Sequence, residues 1–228
     1  MKELTNEELR KIYNDIPKKY DKTNKYISFY QDVRWRGRLV KNIMRFSNSS
    51  KLILDVGSGK GELSYIAEKL MNEDHYVVML DYAENMLNLS LIDSEKVLAS
   101  FEEMPFRDKS FDIVMSSFSI HASNDIEKVI KEVSRVSKGV IGIIAMGKPD
   151  SEVLRIYLGL YLRYFMPCIV NIVRDKVEDY KYIYYIFRKN KRNSEIKEIF
   201  EKYIDVKVWE EKALKLFYFV IGFPKKSH

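Results

Sequence analysis

The chain has 228 residues, 46% of them hydrophobic and 32% charged, enough apolar material for one buried core beneath a heavily charged surface. A formal charge of +6 gathers at Lys18-Lys19, Arg34 to Arg38, Arg188 to Arg192 and Lys225-Lys226. It reads either as solvated surface or as attraction to nucleic acid, an acidic membrane or a phosphorylated ligand. The single cysteine, Cys168, excludes an intramolecular disulfide and a multi-cysteine zinc site, and its place in an apolar run after Pro167 predicts a buried, inert thiol.

The start, MKELTNEELRKIYNDI, is charged and polar and has no apolar leader, so secretion is not expected and the cytoplasm is the expected location. Thr5 with Glu8 three residues later makes a capping box, Leu9, Ile12, Tyr13 and Ile16 share one helical face, and Pro17 ends the helix. Residues 1–47 read as an N-terminal helical cap.

Strands and helices then alternate over residues 48–148. KLILDVG, YVVMLDY, KVLAS, SFDIVMSSFSI and GVIGIIAM are strand-like apolar runs. Between them GELSYIAEKLMN, AENMLNLSLI and NDIEKVIKEVSRVS show helical periodicity, the last capped by Asn124 or Asp125. Alternation of this kind requires right-handed crossovers and a parallel sheet with helices on both faces.

Residues 149–195 break the rhythm. SEVLRIYLGLYLRYFMPCIVNIV is apolar nearly all round, DYKYIYYIFRK is dense in tyrosine, and the segment reads as a helical insertion before the last helix. Its first part approaches membrane-spanning length, but Arg155, Arg163 and Pro167 argue against a span. Over residues 196–228, SEIKEIFEKYI is a closing helix, and DVKVWEEKA with LKLFYFVIGFPK forms an antiparallel strand pair. The whole is one α/β domain with a mostly parallel seven-stranded sheet.

The motif that carries chemistry is Asp55-Val56-Gly57-Ser58-Gly59-Lys60-Gly61, at the end of the first strand. It is neither the dinucleotide fingerprint nor a Walker loop. Gly57 and Gly59 let the backbone pass close beneath a ligand, or they serve close packing of helix on sheet. Asp55 can accept hydrogen bonds from a ligand ammonium group. Asp81 ends the second strand about 20 residues on, where an acid accepts both hydroxyls of a ribose. Together the turn and the two acids favour a nucleoside-containing ligand across the carboxyl ends of the strands.

These residues resemble the class I S-adenosylmethionine-dependent methyltransferases, through LDVGSGKGELS, VMLDYAENML, SFEEMPFRDKSFDIVMSS and EKVIKEVSRVSKG. That implies a Rossmann-like fold and S-adenosylmethionine as cofactor. A narrower resemblance, to the ubiquinone and menaquinone C-methyltransferase family, rests on YDKTNKYISFYQDVRW, where Tyr20, Asp21, Asn24, Ile27, Ser28 and Trp35 match. Thr23 stands where that family has Met, and Asp32 replaces its His. RVSKGVIGII lacks the family's Pro-Gly turn, and MPCIVNIVRDKVEDYKYIYYIF is similar to its tyrosine-rich segment.

By this resemblance the methionine end of the cofactor lies over Gly57, Ser58, Gly59 and Lys60, and Asp81 with Tyr82 beside it meets the ribose. Ser100 and Phe101 meet the adenine, Ser117 follows the fourth strand, and Tyr20 closes over the cofactor from the cap. Lys60, where the family has Thr, pairs with the cofactor carboxylate or points to solvent. Methylating a ring carbon calls for a base near the hydroquinone. His121 stands on the expected substrate side, where the family has Arg-Asn in place of His121-Ala122, and is either that base or a pocket-wall histidine. No metal is expected, with only three histidines and no ligand cluster.

The implied substrate is a lipid-tailed aromatic, with an apolar channel lined by Tyr157, Tyr161, Phe165 and Met166 and peripheral contact with an anionic membrane. Nucleic acid is not favoured, since the aromatics sit in apolar context. Two other readings stay open: methylation of another small molecule or RNA, and a cofactor-binding partner subunit with weak catalysis.

Overall fold

The computed structural model describes residues 31–47, 52–71, 75–172 and 181–225. The helix expected over Thr5 to Ile16, and Tyr20, lie outside these residues.

A seven-stranded sheet organises the molecule, in the order β3-β2-β1-β4-β5-β7-β6. The strands are β1 (Leu52–Val56), β2 (Tyr76–Asp81), β3 (Glu95–Leu98), β4 (Phe111–Ser117), β5 (Ser137–Met146), β6 (Ile204–Lys212) and β7 (Phe217–Pro224). The first five run parallel, and β7 pairs antiparallel with both β5 and β6. Strand order reverses between β1 and β4, and ligands of open α/β sheets bind outside the strand ends at such a reversal.

Helices cover both faces. On one, α1 (Gln31–Phe46) and α2 (Glu62–Leu70) bury Leu39, Val40, Ile43, Leu63 and Ala67 against Ile53, Met79, Ile113 and Ile144. Part of the expected cap is therefore a core helix of the sheet. On the other, α4 (Ile126–Val136) and α8 (Asn193–Tyr203) place Val129, Ile130, Val133 and Phe200 against Leu54, Val114, Ile141 and Val220. Asp125 caps α4, its carboxylate accepting from the amides of Glu127 and Lys128. The helix α3 (Glu84–Asn88) is shorter than AENMLNLSLI predicts. Ser90 Oγ donates to Ile92 O at 2.7 Å and accepts from Ile92 N at 3.2 Å, and this local bonding replaces the helical ladder.

The insertion has its own small core. The helix α5 (Glu152–Leu160), a π-helical turn (Tyr161–Phe165) and α6 (Met166–Ile172) run on from one another, and α7 (Lys181–Lys189) packs beside them. Leu158, Leu162, Met166 and Val170, four residues apart, are buried with Tyr182, Ile186 and Phe187. Much of the rest of that long helix faces outward, so Cys168 is exposed rather than buried, and Tyr157 and Phe165 are exposed as well. An apolar sequence neighbourhood does not imply burial on a helix that is apolar all round. By length and composition alone, Glu152–Asn171 suffices to cross a membrane, a test the Arg and Pro residues had argued against.

Candidate active site

The loop after β1 answers why its glycines are there. Gly57 has φ +64°, and a Cβ on it would lie 2.4 Å from both Cβ and Oγ of Ser119. Gly59, with φ +57°, has nothing nearer to a Cβ than a Glu62 carboxylate oxygen at 4.0 Å, so its backbone conformation, not packing, requires glycine. Close packing explains the first position and a left-handed turn open to a cleft explains the second. Ser116 and Ser119, whose hydroxyls donate to Val56 O at 2.8 and 3.0 Å, tie the ends of β4 and β1 together beneath the loop.

Asp81 holds the loop from the other side. Its carboxylate accepts from Gly59 N at 2.7 Å and from Ala83 N at 2.9 Å. Burial raises its pKa, and these backbone bonds work against that rise. The Tyr82 backbone contributes as well; a carboxylate has about four acceptor sites, so capacity for a ligand remains.

A cleft whose empty space, open mouth included, is about 1400 Å³ lies at these strand ends. Gly57, Ser58, Gly59, Lys60, Asp81, Tyr82, Phe101, Ser117 and His121 all line it, as the sequence predicts. Ser58 is buried, and among the described residues its Oγ meets no hydrogen-bond partner. Tyr82 and Phe101 meet edge to face with centroids 6.1 Å apart.

Two predicted residues stand elsewhere. Asp55 does not line the cleft: it is 1% exposed behind the loop, where Oδ2 accepts from Ser64 Oγ at 2.6 Å and Oδ1 meets no donor among the described residues. Burial pushes its pKa up to about 7. Ser100 also lies off the cleft wall, its Oγ accepting from Glu102 N in a local turn.

His121 sits in a short 3₁₀ turn, Ile120–Ala122. Its Nδ1 accepts from Met146 N at 3.4 Å, which leaves the imidazole proton on Nε2. The ring lines the cleft and is half-buried, and desolvation lowers its pKa to about 4. A base needs a lone pair toward its substrate, and this tautomer offers a donor.

Sequence reasoning missed a second wall. Asp32, Trp35 and Arg36 of α1 line the cleft together with Phe118 and Phe217. Trp35 and Phe217 have centroids 5.1 Å apart, and Phe118 and Phe217 meet edge to face at 5.6 Å. From the insertion come Tyr161, Leu162, Met166 and Ile186. Tyr161 and Met166 thus stand where predicted, whereas Tyr157 and Phe165 point outward. Trp35 lay inside the N-terminal signature, a usable signal; Phe217, distant in sequence, had none.

Burial of charge marks the same place. Among the described residues the buried charged side chains are Arg36, Asp55, Lys60 and Asp81, all around this loop. Buried charge is costly without a partner or a task.

Over residues 1–209 the sequence matches the ubiE/COQ5 methyltransferase family. The chain belongs to that family. It is an S-adenosylmethionine-dependent methyltransferase. It is 29% identical over 212 residues to the demethylmenaquinone methyltransferase of Staphylococcus aureus strain JH9, covering 89% of this chain and 87% of that one. Solved structures share the family fold. A Pyrococcus horikoshii protein superposes with a TM-score of 0.62 at 18% identity, over 93% of this chain and 98% of its own. A Thermotoga maritima methyltransferase gives 0.60 at 13% identity, over 95% and 100%. The residues present suit the family's cofactor: a buried hydroxyl on Ser58 with no partner among the described residues, a left-handed glycine turn and an acid ending β2 are groups that a charged nucleoside can engage.

Proposed function

We propose that this methyltransferase methylates a ring carbon of a lipid-tailed hydroquinone. The observation that carries the reading is the division of one cleft into two ends. One end is polar, at Ser58, Lys60 and Asp81; the other is aromatic and apolar, with Trp35, Phe118, Phe217, Leu162 and Met166. The polar end suits the cofactor, and the aromatic end suits a flat ring bearing a hydrophobic tail. The printed activity of the Staphylococcus aureus relative, demethylmenaquinone methylation, supports the same substrate class.

In this reading Asp81 accepts from the ribose hydroxyls, and Tyr82 and Phe101 flank the adenine. Gly57, Gly59, Ser58 and Lys60 border the methionine portion, and Ser117 stands beside it. When bound, the cofactor supplies a methyl group on a sulfonium, open to in-line displacement by an electron-rich carbon. The protein's part is mainly alignment of that carbon with the methyl, in a site shielded from water. The Nε2–H of His121 donates a hydrogen bond to a ring oxygen and orients the acceptor rather than deprotonating it, and the proton displaced from the methylated carbon passes to solvent at the cleft mouth.

We also place the enzyme in the cytoplasm, in peripheral contact with an anionic membrane. Val153, Ile156, Leu160 and Phe165 form an exposed apolar face on the helix whose inner side lines the cleft, with Arg163 among them.

The deciding experiment offers methyl-labelled cofactor with prenylated hydroquinones, catechols and RNA. Fragmentation of the product should place the new methyl on a ring carbon; methylated oxygen, or RNA as the preferred acceptor, would refute the proposal. For His121, the Gln variant, which keeps a donor, should retain more turnover than the Ala variant. No ionisation between pH 5 and 8 should disappear with the imidazole, and loss of such an ionisation would restore the base role.

A further inference from the structure

We infer that Arg36 holds the carboxylate of the cofactor's methionine, a task for which the sequence had suggested Lys60. The inference rests on the cofactor and is independent of the acceptor proposed above.

Arg36 lies on α1 and is only 9% exposed, yet it lines the cleft. Three contacts hold it there. Nε donates to Ser117 Oγ at 3.1 Å, Nη1 donates to Asp32 Oδ2 at 3.0 Å, and the guanidinium stacks 5.0 Å from the Phe118 ring centroid. Two of its five N–H groups are occupied by these bonds, and three, two of them on Nη2, remain for an anion in the cleft that Arg36 lines. A cation so well anchored is pre-organised, so little entropy is lost when a carboxylate joins it.

Its position along the sheet selects the partner. Asp81, at the tip of β2, marks the nucleoside end. From β2 the sheet steps to β1 and then to β4. Neighbouring strands lie about 4.8 Å apart, so the end of β4 is roughly 10 Å from that of β2. That is about the reach from ribose to carboxylate in an extended adenosylmethionine. Arg36 is bonded to Ser117, the last residue of β4. Lys60 stands on the other flank of the loop: its carbonyl accepts from Leu91 N, beyond α3 and on the β2 side. The Arg36–Asp32 pair also explains a sequence departure, because Asp32, standing where the related enzymes have His, fixes the guanidinium in place.

Binding constants for three nucleosides test this. S-adenosylhomocysteine carries the carboxylate, adenosylthiopropylamine lacks only that group, and methylthioadenosine lacks the whole amino-acid portion. The unaltered enzyme should prefer the first over the second by about 10- to 100-fold, the range of a charge-assisted bidentate contact. In Arg36→Met that preference should shrink to within about threefold, with methylthioadenosine binding unchanged; in Lys60→Met it should persist. A preference that survives Arg36→Met, or vanishes in Lys60→Met, overturns the inference. Should Arg36→Met lose methylthioadenosine binding too, Arg36→Lys decides. A lysine cannot serve Ser117, Asp32 and the ligand together, so an undiminished preference there also overturns it.

Discussion

Asp55 makes the stability of this enzyme depend on pH in an unusual direction. Burial raises its pKa from 3.8 to about 7, while the Ser64 hydroxyl and the Arg36 charge oppose the rise and Glu62 adds to it. Below about pH 4 folded and unfolded chains both hold the proton. As the pH climbs from there to about 7 the unfolded chain releases it first, so the folded state loses stability; above 7 the loss is complete. At ~1.4 kcal/mol per tenfold change, the displacement corresponds to roughly 4 kcal/mol. Asp55→Asn removes this titration while leaving an amide oxygen for Ser64. Urea unfolding of both proteins from pH 4.5 to 9 should show the variant gaining on the wild type by a few kcal/mol between pH 5 and 8. His121 works the other way, since its lowered pKa makes stability rise between about pH 4 and 6.5. The difference between the two proteins cancels that contribution. A difference that stays flat across the range would refute the reasoning. The same charge logic couples Asp55 to ligand binding. The cationic end of the cofactor favours the carboxylate, so calorimetry at pH 7 in buffers of different ionisation enthalpy should register release of up to about half a proton.

Gly57→Ala combines a left-handed backbone with a 2.4 Å clash against Ser119. It should cost on the order of 3 kcal/mol and lower Tm by about 10 °C, against about 1 kcal/mol for Gly59→Ala; equal melting points would show that the Ser119 contact is not what requires the glycine. Asp81→Asn turns an NH₂ toward one of two backbone donors, so S-adenosylhomocysteine affinity should fall about 10- to 100-fold by calorimetry, and unchanged affinity would remove Asp81 from the site. The double substitution Ile156→Glu with Leu160→Glu should abolish co-sedimentation with anionic vesicles while leaving cofactor affinity intact. Persistent sedimentation would locate any membrane contact elsewhere.

Local patterns in this chain were legible wherever one physical rule acted alone. The buried run Leu52 to Val56 reads as a strand because both faces of a central parallel strand are apolar. The sequence offers Asn124 or Asp125 as the cap of α4, and it is the Asp125 carboxylate that meets amides two and three residues on; Asp81 reads as a candidate ligand acid because it ends a strand beside a glycine turn, and it lines the cleft. Where two rules competed the reading failed. Ser90 bonded its neighbour and cut α3 short, and Cys168 sat in an apolar run yet on the outer face of its helix.

The sequence by itself determined the alternation of strands and helices, the glycine turn and the acid that follows it, because each depends on residues near one another in the chain. Only the tertiary structure decided which wall faces them. Arg36 comes from the first described helix, Phe118 from just past the end of β4 and Phe217 from the start of β7, the last strand, and no local pattern records that they meet. Their meeting follows from strand order and helix packing. The same long-range burial makes Asp55 a weak acid behind the loop, and the fold ties His121 Nδ1 to the Met146 amide, so the protonation states of the site belong to the fold and not to the motif.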